Sequence, residues 1–251
     1  MESKTLYAFD MDDTLLETPK LSSIVDVEGG EVITSNENIK EYVKKIKGIF
    51  LSLFFKEICF EKSNDFIVIV DCKTKNRFGS EYVDFIHDLT SEQLKNAGLK
   101  NSTKKDLIRT IGEENGVLIL KPFPGFYDDE QTLGTLLNPE VFSVYKQAKN
   151  KMIVTGRKES LRQSVESNLL NLGVEIPNFG LHLFPGGQQS IVQYKTKVLI
   201  DSTIANGWDE IHFFEDRVDW LDIVEKGVLQ KFPSIKFYKH LVSSIKSKLS
   251  L

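Results

Sequence analysis

The sequence has little cysteine, with only Cys59 and Cys72 among 251 residues. Small domains that depend on disulfides are much richer in cysteine. No disulfide framework is therefore expected, and a reducing, cytoplasmic compartment is the default. The first ten residues carry no apolar signal region. The most apolar stretch, residues 48–60, is too short to span a bilayer and contains two charged residues. We therefore expect no membrane partner, and we expect residues 48–60 to form a buried helix face.

Neither sign of charge dominates the chain. Its formal net charge is −4, whereas a nucleic-acid-binding domain is typically strongly basic. This balance does not require a nucleic-acid partner, but it permits a local basic patch. The lysine-rich segment 99–109 is the candidate for such a patch, and a solvated helix face is the alternative. The four histidines lack the spacing of zinc ligands, and no GxxxxGK[ST] loop supports a fused kinase.

Hydrophobic residues make up 41% of the chain, enough for one large domain or for a core with a smaller insert. Strand and helix patterns alternate after residue 151, which predicts parallel crossover units and therefore an α/β fold. The strands are expected near residues 5–10, 66–70, 151–155, 181–184, 210–215 and 234–240. The helices are expected near residues 36–60, 80–97, 102–114, 138–149, 158–173, 194–207 and 218–232, and a β-hairpin is expected around Gly29 and Gly30.

The first strand ends in three closely spaced carboxylates, Asp10, Asp12 and Asp13, directly after an apolar run. Like charges at this spacing repel one another and need a counter-ion. The carboxyl ends of parallel strands form the ligand crevice of an α/β sheet. A hard cation such as Mg²⁺ prefers carboxylate oxygens, water and substrate phosphate as ligands. Because Asp216 follows the strand expected at residues 210–215, Asp10 and Asp216 are the natural ligands for Mg²⁺.

These residue types also suit phosphoryl transfer. A carboxylate such as Asp10 can attack phosphorus to give an aspartyl-phosphate. A second carboxylate two residues later, Asp12, can lie on the same side and move the proton. Thr155, at a strand end, can donate a hydrogen bond to a phosphoryl oxygen, and a lysine from residues 193–197 would neutralise its charge.

Four short motifs, in this order, resemble those of the haloacid dehalogenase-like (HAD) phosphohydrolase superfamily. They are "DMDDT" at 10–14, "TGR" at 155–157, a lysine near a helix start, and "EDR" at 215–217. The resemblance covers roughly residues 5–20 and 138–240. The pair "TGR" and "EDR" is similar to the branch that contains polynucleotide 3′-phosphatases and the Swiss-army-knife RNA-repair-like proteins.

The resemblance implies a role for each residue of the first motif and of the third. Asp10 would be the nucleophile and a ligand of Mg²⁺. Asp12 would be the acid and base, and its backbone carbonyl would also bind the metal. Lys195 fits the third motif because a tyrosine precedes it and an amphipathic helix follows it; Lys197 is the alternative.

The second and fourth motifs supply the remaining site residues. Thr155, Gly156 and Arg157 would bind the substrate phosphate, although Arg157 could instead pair with an acidic neighbour such as Glu159. The fourth motif would supply the metal ligands Glu215 and Asp216, of which Asp216 would be the direct ligand. Asp219 could contact these ligands without binding the metal itself.

The motif positions imply a Rossmann-like HAD core, residues 1–35 and 121–251, with a cap subdomain inserted at residues 36–120, the C1 position of the superfamily. We expect an Mg²⁺-dependent phosphatase that hydrolyses a phosphate monoester through an aspartyl-phosphate. A phosphatase acting on nucleic-acid 3′-ends or phosphoproteins is one alternative. A catalytically silent binding protein is another, which the intact Asp10 and Asp12 argue against. The substrate and the oligomeric state do not follow from the sequence.

Overall fold

The computed structural model describes residues 4–63, 66–122 and 130–243. The chain divides into two compact units: unit 1 is Met1–Thr18 with Asp128–Leu251, and unit 2 is Pro19–Tyr127. The strands are β1 (Thr5–Phe9), β2 (Leu16–Glu17), β3 (Asp26–Glu28), β4 (Glu31–Ile33), β5 (Ile58–Lys62), β6 (Ile67–Asp71), β7 (Ile111–Glu114), β8 (Val117–Leu120), β9 (Leu136–Leu137), β10 (Lys151–Lys158), β11 (Leu181–Phe184), β12 (Glu210–Glu215) and β13 (Lys236–Leu241). The helices are α1 (Leu21–Ile24), α2 (Glu37–Phe54), α3 (Glu81–Asp88), α4 (Ser91–Asn96), α5 (Ser102–Thr110), α6 (Pro139–Gln147), α7 (Arg162–Asn171), α8 (Ile191–Asn206) and α9 (Val218–Lys231).

Unit 1 is built on a five-stranded parallel sheet with the strand order β11-β10-β1-β12-β13. The chain enters at the central strand, moves outward through β10 and β11, and then returns to the other side of β1. Because the direction of winding reverses there, the topological switch point of the sheet lies between β1 and β12. The predicted α/β class with a parallel sheet flanked by helices is confirmed.

Alternate residues of the central strand explain why helices cover both faces of this sheet. Leu6 and Ala8 belong to the core cluster that includes α8 and α9, whereas Phe9 belongs to the cluster that includes α6 and α7. All three side chains are completely buried. A strand that is apolar on both sides needs a layer on each side, and the result is a three-layer unit.

Unit 2 has its own sheet and its own core. Its four antiparallel strands have the order β5-β6-β8-β7. Helix α2 contributes Ile46 and Phe50 to a cluster that also contains Ile58, Ile69 and Leu107. Since β6 pairs within this sheet and not with β1, the apolar run at 66–70 is part of unit 2.

We predicted that residues 1–35 belong to the core. In the structure only the part up to Thr18 belongs to unit 1, and the chain from Pro19 onward belongs to unit 2. The hairpin predicted at Gly29 and Gly30 is confirmed, with both glycines at positive φ, but it belongs to unit 2. The reason is packing, since Leu21 and Val25 are buried in the core of unit 2. The predicted insert, 36–120, lies within unit 2, and its role as a cap stays a prediction.

Two of the predicted helices are too long. The helix predicted over 36–60 ends at Phe54, where Phe55 takes a left-handed conformation, and residues 58–62 form β5. The buried run Ile58–Phe60 is therefore part of a strand and does not continue a helix face. The helix predicted over 102–114 ends at Thr110, and residues 111–114 form β7. The segment predicted as helical over 80–97 forms two helices, α3 and α4.

Cys59 and Cys72 form a disulfide, whereas no disulfide framework was expected from two cysteines. The pairing follows from strand register, because Cys59 lies opposite Val70 in the β5–β6 ladder and Cys72 follows two residues later. Disulfides are typical of oxidising compartments. The cysteines therefore do not support the cytoplasmic expectation, which stays a prediction. Within the described residues, no helix combines the length and the apolarity needed to cross a membrane.

We expect the disulfide to stabilise the protein against unfolding by roughly 2–4 kcal/mol, because it closes a loop of the unfolded chain. Urea denaturation with and without a reductant, followed by fluorescence, measures this difference. The variant Cys59→Ser/Cys72→Ser should match the reduced wild type and should not respond to the reductant. A wild type that is equally stable in both conditions would contradict a stabilising bond.

Candidate functional site

The carboxyl edge of the parallel sheet brings together side chains from two neighbouring strands and one helix. Asp10 follows β1, Glu215 ends β12, and Lys195 lies in the second turn of α8. The backbone N–H of Asp10 donates to the carbonyl of Phe214 (2.9 Å), which keeps the two strand ends in register. The winding of the sheet reverses between these same two strands, at the position where open α/β sheets bind ligands.

The first motif forms a tight turn whose apolar residues anchor it in the core. The carbonyl of Met11 accepts the N–H groups of Leu15 (3.0 Å) and Leu16 (2.8 Å), and all three side chains are completely buried. Asp13 has φ 56, a left-handed conformation that aspartate tolerates better than most residues. Its Oδ1 accepts the N–H of Thr18 (3.1 Å). The motif is thus fixed by packing on one side and by this hydrogen bond on the other.

Lys195 forms the centre of the site. Its Nζ lies 2.7 Å from Asp10 Oδ1 and 2.7 Å from Glu215 Oε2, and its side chain is 1% exposed. Helix α8 begins with a capping box in which Ser190 and Gln193 bond each other's backbone N–H groups. The cap fixes the residue at which the helix starts.

Burial and mutual repulsion change the protonation of these carboxyls. Burial raises the pKa of Asp10 from 3.8 to about 8; Lys195 opposes this shift and Glu215 adds to it. Burial likewise raises the pKa of Glu215 from 4.5 to about 7, and the pKa of Asp216 is also raised, mainly by burial. Burial lowers the pKa of Lys195, but attraction to Asp10 and Glu215 outweighs it, so the pKa is raised and the ammonium stays charged.

The acidic cluster, defined as Asp10, Glu215 and Asp216, could hold a metal ion. One carboxylate oxygen from each residue lies within 4.8 Å of the others. Glu215 Oε1 is buried and has no hydrogen-bond partner in the described part of the chain. When all three residues are ionised they carry three negative charges against the single positive charge of Lys195. The orphaned oxygen and the two uncompensated charges fit a divalent cation with oxygen ligands.

An irregularity in β10 shapes the second motif. The register with β11 shifts between Thr155, opposite Leu183, and Lys158, opposite Phe184. Such bulges change the direction of side chains and are frequent near active sites. The hydroxyl oxygen of the buried Thr155 accepts the N–H of Arg157 (3.1 Å), which leaves its proton for another acceptor. A Cβ at Gly156 would come within 3.1 Å of Ile191, so glycine suits this close approach.

Arg157, which is buried, and Asp12, which is partly exposed, form an ion pair. The guanidinium donates from Nε to Asp12 Oδ2 (2.9 Å) and from Nη2 to Asp12 Oδ1 (2.7 Å). It also donates to the hydroxyl and to the carbonyl of Thr132, both at 2.6 Å. Arg157 therefore pairs with an acidic residue, as one alternative expected, but this residue is Asp12, whereas Glu159 pairs with Arg162. The side chain of Asp12 faces Arg157, and it is not part of the acidic cluster.

Two further side chains lie elsewhere than the motif pattern suggested. Lys197 is exposed and pairs with Asp201 one helical turn later, so Lys195 is the lysine at the site. Asp219 is exposed and pairs with Arg217, so its side chain does not support the expected metal ligands. Histidines do not contribute to the cluster either: His212 bonds His240 and Glu210 on β12 and β13.

Two residues near the site were missed by sequence reasoning. The ring of Trp220 lies 4.7 Å from Lys195 Nζ and 4.2 Å from the Arg217 guanidinium carbon, as cation–π contacts. Trp220 lies only three residues after the end of the fourth motif, and this proximity was a sequence signal that could have identified it. Thr132, which holds Arg157, lies on a single 3-10 turn, Glu130–Thr132, and no pattern marks it.

Comparison of the chain with protein-family models, with curated proteins and with solved structures gives no match. The motif resemblance is therefore a hypothesis that depends on the geometry of the site.

We expect the stability of the metal-free protein to fall as pH rises from about 4 to about 8. The folded pKa values of Asp10 (about 8) and Glu215 (about 7) lie above their ordinary values, so the folded state holds protons that the unfolded chain releases. Saturating Mg²⁺ should reduce this fall, because bound metal favours the ionised carboxylates. Urea unfolding in EDTA and in MgCl₂ at several pH values measures both effects.

Asp219→Asn is the matched control, since it removes a carboxylate outside the cluster and should leave the metal effect unchanged. Metal-free stability that rises over the same pH interval would contradict the assignment of these buried carboxyls.

Proposed function

We propose that the protein is an Mg²⁺-dependent phosphatase of the HAD type, which hydrolyses a phosphate monoester through an aspartyl-phosphate on Asp10. The observation that carries this proposal is the buried contact of Lys195 with Asp10 and Glu215 at the sheet edge. It unites the first, third and fourth motifs in one place, as the resemblance implies. Proteins with an isolated acidic turn have no need for such a buried lysine.

The charge balance supports a divalent cation at the acidic cluster. Three carboxylates and one ammonium leave two negative charges when all are ionised. In its ionised form this site would repel a phosphate dianion unless a cation were bound. Asp10, Asp216 and Glu215 would hold Mg²⁺, which would neutralise phosphate charge during transfer. The backbone carbonyl of Asp12 is the further ligand that the resemblance implies.

The residues of the chain divide the reaction between them. Asp10 attacks phosphorus with the oxygen that does not bond Lys195, while the bond from phosphorus to the leaving oxygen breaks. Asp12 gives that oxygen its proton, and it later takes a proton from the water that hydrolyses the aspartyl-phosphate. Lys195 and the hydroxyl of Thr155 stabilise the charge on the phosphoryl oxygens.

Unit 2 is the proposed cap subdomain. It has a separate core and is inserted between the first and second motifs in the sequence. Three basic side chains of the lysine-rich segment, Lys100, Lys105 and Arg109, are exposed, so nucleic-acid ends belong among the substrates to test. The site also retains Asp10 and Asp12, each paired with a buried cationic side chain, which argues against a silent binding protein.

A phosphatase screen tests the proposal. The substrates are small phosphorylated metabolites, nucleotides, oligonucleotides with a 3′-phosphate, and phosphopeptides, each with MgCl₂ and with EDTA. We expect release of phosphate from at least one class, and its loss in EDTA. No release from any class in MgCl₂ would contradict the function.

The two aspartates of the first motif should fail at different steps. Asp10→Asn removes the nucleophile, so no phospho-enzyme forms and no burst of leaving group appears. Asp12→Asn loses the proton transfers, which are worth on the order of 10²–10⁴ in rate, but a substrate with a very good leaving group should still give a burst and then stall. Rapid-quench kinetics measure the burst. Near-wild-type turnover in Asp10→Asn would exclude covalent catalysis through that residue.

A further inference from the structure

We infer that Arg157 and Thr132 are positioning residues for Asp12, and that Arg157 does not bind the substrate phosphate. The inference rests on the proposed function, since it assigns these residues to the proton transfers of that reaction. It departs from the motif resemblance, in which the arginine of the second motif was a substrate ligand.

The contact between Arg157 and Asp12 fixes the orientation of the carboxylate. Two parallel N–H···O bonds, of 2.9 and 2.7 Å, join the guanidinium fork to both carboxylate oxygens. Paired bonds of this kind define the plane of the carboxylate as well as its distance, which a lysine cannot do. Asp12 retains 17% exposure of its side chain, whereas that of Arg157 has none. The carboxylate can therefore be reached from outside, and the guanidinium behind it cannot.

Thr132 in turn holds Arg157. Its hydroxyl oxygen accepts from Nη1 and its carbonyl accepts from Nη2, both at 2.6 Å. Thr132 is completely buried, so its two acceptors face a low-dielectric interior where hydrogen bonds are strong. The Asp12 carboxylate cannot rotate without breaking its bonds to Arg157. The Arg157 guanidinium in turn cannot rotate without breaking its bonds to Thr132.

These contacts argue against phosphate binding by Arg157. The four bonds direct four of its five N–H donors to protein oxygens, and the side chain is fully buried. To reach a phosphate it would have to leave Asp12 as an unpaired carboxylate, which is costly in a buried site. The effect of Arg157 on the reaction therefore passes through Asp12.

A double-mutant cycle on kcat tests this dependence. The variants are Arg157→Lys, Asp12→Asn and the double variant, assayed with the substrate that the phosphatase screen identifies. We expect Arg157→Lys to lower kcat at least about tenfold, part of the contribution of the acid and base, with little change in KM. In the Asp12→Asn background the same change should lower kcat less than about twofold, because position 12 then has no carboxyl group that could transfer a proton.

Thr132→Val provides a second and gentler variant. It keeps the shape of the side chain and removes only the hydroxyl that accepts from Nη1. We expect a lower kcat, an unchanged KM, and no further loss in the Asp12→Asn background. Thr135→Val is the matched control, because it makes the same change at an exposed position of the same segment and should leave kcat unchanged. Thermal unfolding of each variant identifies those that fail to fold, and Thr132→Val decides the test if Arg157→Lys is one of them.

The outcomes distinguish a failure of the positioning role of Arg157 from a failure of the proposed function. A rise in KM with unchanged kcat in Arg157→Lys would assign Arg157 to phosphate binding and overturn the inference. Equal losses with and without the Asp12 carboxylate would also overturn it, while an active wild type would leave the proposed function intact. A wild type that is inactive on every substrate would overturn the proposed function, and this role with it.

Discussion

The candidate site depends on the contacts of the buried Lys195 ammonium with two carboxylates. Two neighbouring strands end in Asp10 and Glu215, and without a cation between them these carboxylates would repel each other in a water-poor interior. Lys195 bonds both at 2.7 Å. Removing one partner from a buried group of charges typically costs 3–5 kcal/mol, because the others are left uncompensated. The position of α8 and the register of the sheet are therefore energetically linked at this point.

The hydrophobic pattern of β1 sets the direction of its terminal carboxylate. Phe9 lies opposite Phe214 in the ladder with β12, and Leu6 and Ala8 face the opposite side of the sheet from Phe9. A shift of one residue would exchange the two faces and expose apolar side chains. The packing of the core thus determines the register, and the register determines where Asp10 meets the residues of β12.

Local patterns predicted the parts of this structure that depend on neighbours in sequence. The strands of unit 1 and the placement of Asp10 and Glu215 at their ends follow from short apolar runs, whereas the strand predicted to end at Thr155 continues to Lys158. Asn115-Gly116, with both residues at positive φ, joins β7 to β8. This dipeptide is a strong signal for a two-residue hairpin turn, and it could have corrected the helix predicted across 102–114.

The rest depends on contacts that no local pattern encodes. The choice between Lys195 and Lys197 depends on the rotation of α8 about its axis, which the tertiary packing fixes. The partners of Arg157 lie at Asp12 and Thr132, distant in sequence and on segments without periodicity. Likewise, Cys59 and Cys72 meet only because of the β5–β6 register.

The short ladder of β2 and β9 has a consequence for how the chain tolerates its large insertion. Glu17 pairs with Leu136 and Leu16 with Leu137, so both chain segments that flank the insertion are held together within unit 1. Gly134 permits this approach, since a Cβ there would lie 2.5 Å from the carbonyl oxygen of Glu17. Closing a loop costs free energy that grows only with the logarithm of its length. Evolution could therefore enlarge, shorten or replace the inserted segment at little entropic cost to the sheet.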